Sequence, residues 1–130
     1  MTKEEHIDYW IKTAEHDIKA MQNIFNAGSY DWALFIGHLA LEKISKALWV
    51  KNNINNIPPK IHDLVKLSDE AQLVLSDPEK EFLLEVNDFN LETRYPDYKM
   101  DFHKKCTREF AEEYFNKIMN YYNVLSKKLK

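Results

Sequence analysis

From residue 30 to residue 52 the chain carries apolar side chains on nearly every side of one helix. Ala33, Ile36, Ala40, Ile44 and Ala47 recur at three- and four-residue steps, and Leu34, Leu41 and Leu48 widen that stripe over most of the circumference. A helix that is apolar nearly all round must be covered by other elements, so it belongs at the centre of a bundle or in an oligomer interface. The rest of the chain supplies the cover. Trp10, Ala14, Ile18, Met21 and Phe25 trace one helical face, in a segment opened by the capping-box pair Thr2 and Glu5. Phe110, Tyr114, Ile118, Tyr121 and Leu125 repeat that spacing near the C-terminus, where Thr107 is placed to cap the helix.

The breaks between these segments are equally clear. Gly28 ends the first helix and Ser29 can cap the second. The run from Asn52 to Pro59 is a loop, because Asn favours turns and paired prolines break a helix. A short helix is expected from Ile61 to Ala71. Ser76-Asp77-Pro78-Glu79 opens a fourth, with Phe82, Val86 and Phe89 on one face, ending near Leu91. Arg94-Tyr95-Pro96-Asp97-Tyr98 is expected to be irregular, since the residue before proline is pushed out of helical geometry. With two Gly and four Pro in 130 residues, the turns an all-β protein needs are missing. The expectation is an all-α, up-and-down bundle of four to five helices, one domain spanning residues 1–130.

Charge and composition narrow the function classes. The net charge of −3 provides no field for duplex DNA. The longest stretch without a charged residue, Trp32 to Leu41, is about half a membrane span, so no transmembrane helix is expected. The polar start does not read as a signal peptide, and the single cysteine, Cys106, suits a reducing cytoplasm. The eighteen basic residues include only two arginines, Arg94 and Arg108. A planar guanidinium is the side chain suited to bidentate contact with phosphate, so both arginines are candidates.

No metal or cofactor is implied. The five histidines have no zinc-ligand spacing, Gly28 and Gly37 stand alone, and Cys106 would need a neighbouring base to act as a nucleophile. Three segments remain. His38, Glu42 and Lys46 are spaced four apart, with Lys43 beside them, so they can form a charge-paired ladder. Such a ladder either fixes the register of a helix pair or dimer, or lines a polar cleft for a nucleotide or RNA. In His62-Asp63-Leu64, Asp63 favours a helix N-terminus, with His62 as proton carrier the other reading. The segment Asn90 to Tyr98 gathers an amide, a guanidinium, two phenols and a carboxylate. Arg94 there either pairs with a carboxylate such as Asp17 or Glu42, or binds phosphate with Asn90 assisting and Tyr95 or Tyr98 stacking on a base.

Taken in order, Ala14-Glu15-His16-Asp17-Ile18, Gly28-Ser29-Tyr30-Asp31-Trp32-Ala33, Ala40-Leu41-Glu42-Lys43, Lys46-Ala47-Leu48, His62-Asp63-Leu64 and Arg94-Tyr95-Pro96-Asp97-Tyr98 resemble the pattern of the HEPN family over residues 4–127. These are small helical domains of higher eukaryotes and prokaryotes. The resemblance implies a helical bundle that homodimerises. It also implies a minimal nucleotidyltransferase as frequent partner, the two behaving as a toxin–antitoxin pair. Many members are metal-independent RNases carrying Arg, four to six residues, then His, in which Arg holds the scissile phosphate and His moves protons. This chain departs from that motif: eight residues separate Arg94 from His103, and no His follows Arg108. The Arg-Tyr-Pro-Asp form is similar to the branch described as nucleotide-binding or accessory.

The expected function is therefore a non-catalytic, homodimeric module that binds a minimal nucleotidyltransferase and a nucleotide. Asn90, Arg94 and Tyr95 would meet phosphate and base, with His38, Glu42, Lys43 and Lys46 near the cleft. Tyr95 or Tyr98 could accept a nucleotidyl group from the partner. One alternative is a metal-independent RNase toxin, with Arg94 on phosphate and His103 as general acid or base. Another is a purely structural interaction domain in which Arg94 pairs internally.

Overall fold

The structure, a computed structural model, describes residues 1–130 and contains six helices and no strand. Four are long: α1 (Lys3–Asn26), α2 (Tyr30–Asn52), α4 (Asp77–Arg94) and α6 (Arg108–Lys128). Two are short: α3 (Leu64–Glu70) and α5 (Asp101–Lys105). The all-helical bundle expected from the sequence is present, with one short helix, α5, that periodicity does not reveal.

Helix α2 is the centre. Fourteen of its 23 residues are buried, and α1, α3, α4 and α6 all pack against it. The turn into it is set by Gly28, which adopts φ +87°, a conformation costly for any residue with a Cβ. The Gly28 N–H donates to the Phe25 carbonyl and the Ser29 N–H to the Ile24 carbonyl, a Schellman termination of α1. Ser29 occupies the cap position of α2, but its side chain makes no capping hydrogen bond. Thr2, Ser76 and Thr107 do cap their helices through side-chain oxygens. Along α1, Ala14, Ile18 and Met21 are buried as the spacing requires, while Trp10 and Phe25 are half-buried at its two ends.

Gly37 marks the tightest approach. A Cβ there would lie 2.7 Å from Ile118 Cδ1 and 3.0 Å from Met21 Sδ, so glycine lets α1, α2 and α6 close together. On the other side of the core, Phe89 packs on Phe102, Phe110 and Tyr114, and Phe82 on Tyr121. These rings fill the space among α4, α5 and α6.

Two boundaries differ from expectation. Helix α3 begins at Leu64 rather than Ile61, because the Asp63 carboxylate accepts the Val65 and Lys66 N–H groups and so fixes the cap there. Helix α4 continues past Leu91 to Arg94, and the Tyr95 N–H still bonds the Leu91 carbonyl. Pro96 then stops it, and Arg94 stands on the last helical turn rather than in the loop. No helix is long and apolar enough to cross a membrane.

Candidate functional site

The side chains singled out in the sequence fall into two groups, one buried and one exposed. The buried group is centred on His38, which α2 presents towards α4 with 1% exposure. Its Nε2 lies 2.8 Å from the His62 carbonyl oxygen and its Nδ1 3.2 Å from the Asn90 amide nitrogen. Since a carbonyl only accepts, Nε2 carries the proton and Nδ1 receives the amide N–H; the ring is neutral. Burial pushes the His38 imidazole below its ordinary value, against the opposing pull of the Glu42 carboxylate.

Glu42 is buried and doubly engaged. One oxygen takes His62 Nδ1 at 2.8 Å and the other Lys46 Nζ at 3.2 Å. Lys46 in turn lies over the Trp10 ring, 5.2 Å from its centroid. The ladder foreseen along α2 is thus half correct. Glu42 and Lys46 pair directly, whereas His38 bonds across to α4 and to the 60–63 segment, and His62 takes the place expected for it beside Glu42. Lys43 leaves the group altogether: it pairs with Asp17 of α1 at 2.7 Å. Beside the network, Asn87 accepts the Leu64 N–H and donates to Asp63, closing the entry to α3 onto α4. A shallow cleft of about 280 Å³ opens here, lined among others by His38, His62, Asn87 and Asn90.

The exposed group lies at the end of α4. Arg94 is four residues beyond Asn90 and so one turn along the same face. It makes no ion pair. Asp17 and Glu42, its expected partners, are taken by Lys43, Lys46 and His62, which reach them from α2 and the neighbouring loop. The guanidinium lies 5.5 Å from the centroid of the Tyr95 ring. Tyr95 and Tyr98 are 67% and 91% exposed, the latter beside Lys99. Asn90, by contrast, is buried and committed to His38.

His103 reaches this end of the molecule by way of α5. Its Nδ1 lies 3.3 Å from the Asp31 carboxylate, in the first turn of α2. Thr93, the residue before Arg94, turns its hydroxyl towards the Asp31 carbonyl at 3.5 Å. Asp31 therefore adjoins both the end of α4 and α5. Sequence reasoning did not assign a role to Asp31, Thr93 or Asn87. The acidic first turn of α2 was visible, but a contact 72 residues away in the chain has no local signature. Cys106 caps α5 in a buried position, and burial pushes its thiol up to about 12.

A family model described as the HEPN domain matches residues 7–129. The chain belongs to the HEPN domain family. No match to it was found among curated proteins or among solved structures. Within this HEPN domain the buried network joins α2, α3 and α4, and the exposed cations and phenols stand at the far end of α4.

Proposed function

We propose that this HEPN domain is a homodimeric, non-catalytic module that binds a nucleotide, or a nucleotide unit of RNA, and pairs with a minimal nucleotidyltransferase in a toxin–antitoxin-like, cytoplasmic system. One observation carries the ligand reading: Arg94 is an exposed guanidinium with no carboxylate partner, set beside the exposed ring of Tyr95. A charge left free beside stackable rings suits a phosphate together with a base. Asn90 supports Arg94 through the helix rather than meeting the ligand, and the His38–Glu42–Lys46 network holds that helix in place.

The dimer reading rests on α2. Trp32, Phe35, Ile36 and Leu39 follow one another at helical spacing on its outer side, with Trp32 50% exposed and the others half-buried. An apolar stripe on a core helix is the kind of surface a second copy covers. Titration of the protein with a nucleoside triphosphate in EDTA tests the ligand reading. Binding should weaken about 10- to 100-fold in Arg94→Ala, the equivalent of losing one charged hydrogen bond worth about 1.5–3 kcal/mol. Equal affinity in the variant would refute it.

The second reading, a metal-independent RNase using Arg94 and His103, is favoured by one observation. His103 is held through Nδ1 alone, and its Nε2 makes no hydrogen bond. An imidazole so placed can exchange a proton with a bound ligand. Cleavage of RNA in EDTA, lost in both Arg94→Ala and His103→Ala, would favour this reading over the first.

A further inference from the structure

Helices α4 and α6 each pack against α2, and aromatic side chains span the space between them. Phe82 of α4 meets Tyr121 of α6 nearly edge-on, with ring centroids 5.7 Å apart. Further along, the Tyr114 hydroxyl donates to the Glu85 carboxylate. Outside these rings the two helices leave a groove of about 490 Å³. Exposed Glu81 and Glu85 wall it on one side, and exposed Asn120 and Val124 on the other, with Phe82 and Tyr121 at its floor. Its lining runs over residues 78–85 of α4 and 117–124 of α6, so the groove is about 10 Å long, two helical turns.

The charge of the groove is one-sided. Between Asp77 and Glu92, α4 carries six carboxylates and one cation, Lys80. Glu81 has no partner in the protein, and Glu85 accepts only a neutral phenol. The single cation of the walls, Lys117, is already paired with Glu113 at 3.2 Å and lies over the Tyr114 ring. An apolar floor beside unneutralised carboxylates suits an occupant that is apolar on one face and cationic at its edges. A second copy in a two-fold contact would set α4 against α4, carboxylate against carboxylate. A nucleic acid would bring its phosphates to the same carboxylates.

We propose that the α4–α6 groove docks a basic amphipathic helix of a partner protein. About two turns of that helix lie between the walls, with apolar side chains three and four apart resting on Phe82 and Tyr121. Its lysines or arginines flank them, beside Glu81 and Glu85. The surface is independent of the phosphate reading of Arg94, which stands nine residues beyond Glu85, about 13 Å along α4.

The probe is a synthetic helical peptide of about 15 residues, with leucines three and four apart and lysines flanking them. It is titrated into the protein and followed by backbone amide chemical shifts. Binding should move the amides of Phe82, Glu85, Tyr121 and Val124 more than those around Arg94. Glu81→Lys and Val124→Lys, at exposed positions on opposite walls, should each weaken binding about 5- to 10-fold with helical signal intact. Glu112→Lys, the same charge change as Glu81→Lys but on the far side of α6, should leave affinity unaltered. A peptide of equal charge with its leucines replaced by serine should bind about tenfold more weakly. Shifts centred elsewhere, or no shift at millimolar peptide, would overturn the proposal. So would equal weakening by Glu112→Lys, which marks non-specific charge attraction. Equal affinity for the serine peptide would also overturn it, leaving a plain cation site.

Discussion

With Nε2 donating to the His62 carbonyl and Nδ1 receiving the Asn90 amide, both nitrogens of His38 are used in the neutral state. Protonation must place a charge in a buried site. Because burial depresses the folded-state value, the unfolded chain binds the proton more readily. The stability contributed is therefore complete above the ordinary imidazole value of about 6.5 and is lost as pH falls below it towards the folded value. Urea midpoints measured across this range should fall more steeply for wild type than for His38→Gln, which has no ring to titrate. Parallel curves would show that His38 is not the group responsible. At this scale the sequence was informative where partners are one helical turn apart, as for Glu42 and Lys46. It was silent where they are distant, as for His38 with Asn90, or His62 with Glu42. Arg94 was open to pairing with Asp17 or Glu42 because spacing alone does not show that Lys43 and Lys46 reach those carboxylates first.

At the scale of elements, the long helices follow directly from apolar periodicity and from the caps at Thr2, Ser76 and Thr107. The short ones depend on tertiary contacts. Helix α5 has five residues, too few for a periodic pattern, and is held by Asp97, Phe102 and the Asp31–His103 contact. Helix α3 depends on Asp63, which caps it and receives the Asn87 amide. Asp63→Ala should cost about 1 kcal/mol of global stability, the usual value of an N-cap. It should also speed hydrogen exchange at Leu64, Val65 and Lys66 more than at the centre of α2. Unaltered exchange at these amides would contradict the anchoring role. At Gly37 the close approach of α1 and α6 leaves no space for a side chain. Gly37→Val should destabilise the protein by about 2 kcal/mol through overpacking, seen as a lower urea midpoint. A midpoint at or above that of wild type would show that Ile118 and Met21 can move aside.

For the whole molecule, the prominence of α2 was legible because its apolar residues leave so little polar circumference. Which part of that circumference stays uncovered was not. The structure leaves Trp32, Phe35, Ile36 and Leu39 as the outer stripe, near the Arg94 end of the bundle. Sedimentation should give a species of twice 15.5 kDa, and Trp32→Glu should return it to the single-chain mass without loss of helical signal. A monomeric wild type would remove the dimer from the account. The approach of His103 to the first turn of α2 depends on α5 and Asp31, a contact no motif spacing could disclose.

The central claim is that Arg94 is a phosphate-binding residue of a HEPN domain. The most direct measurement follows a labelled single-stranded RNA with the purified protein in EDTA, recording binding and strand integrity together for wild type, Arg94→Ala and His103→Ala. The account predicts that wild type binds without cleaving and that Arg94→Ala binds about 10- to 100-fold more weakly. Undiminished binding by Arg94→Ala, with its helical signal intact, would contradict it.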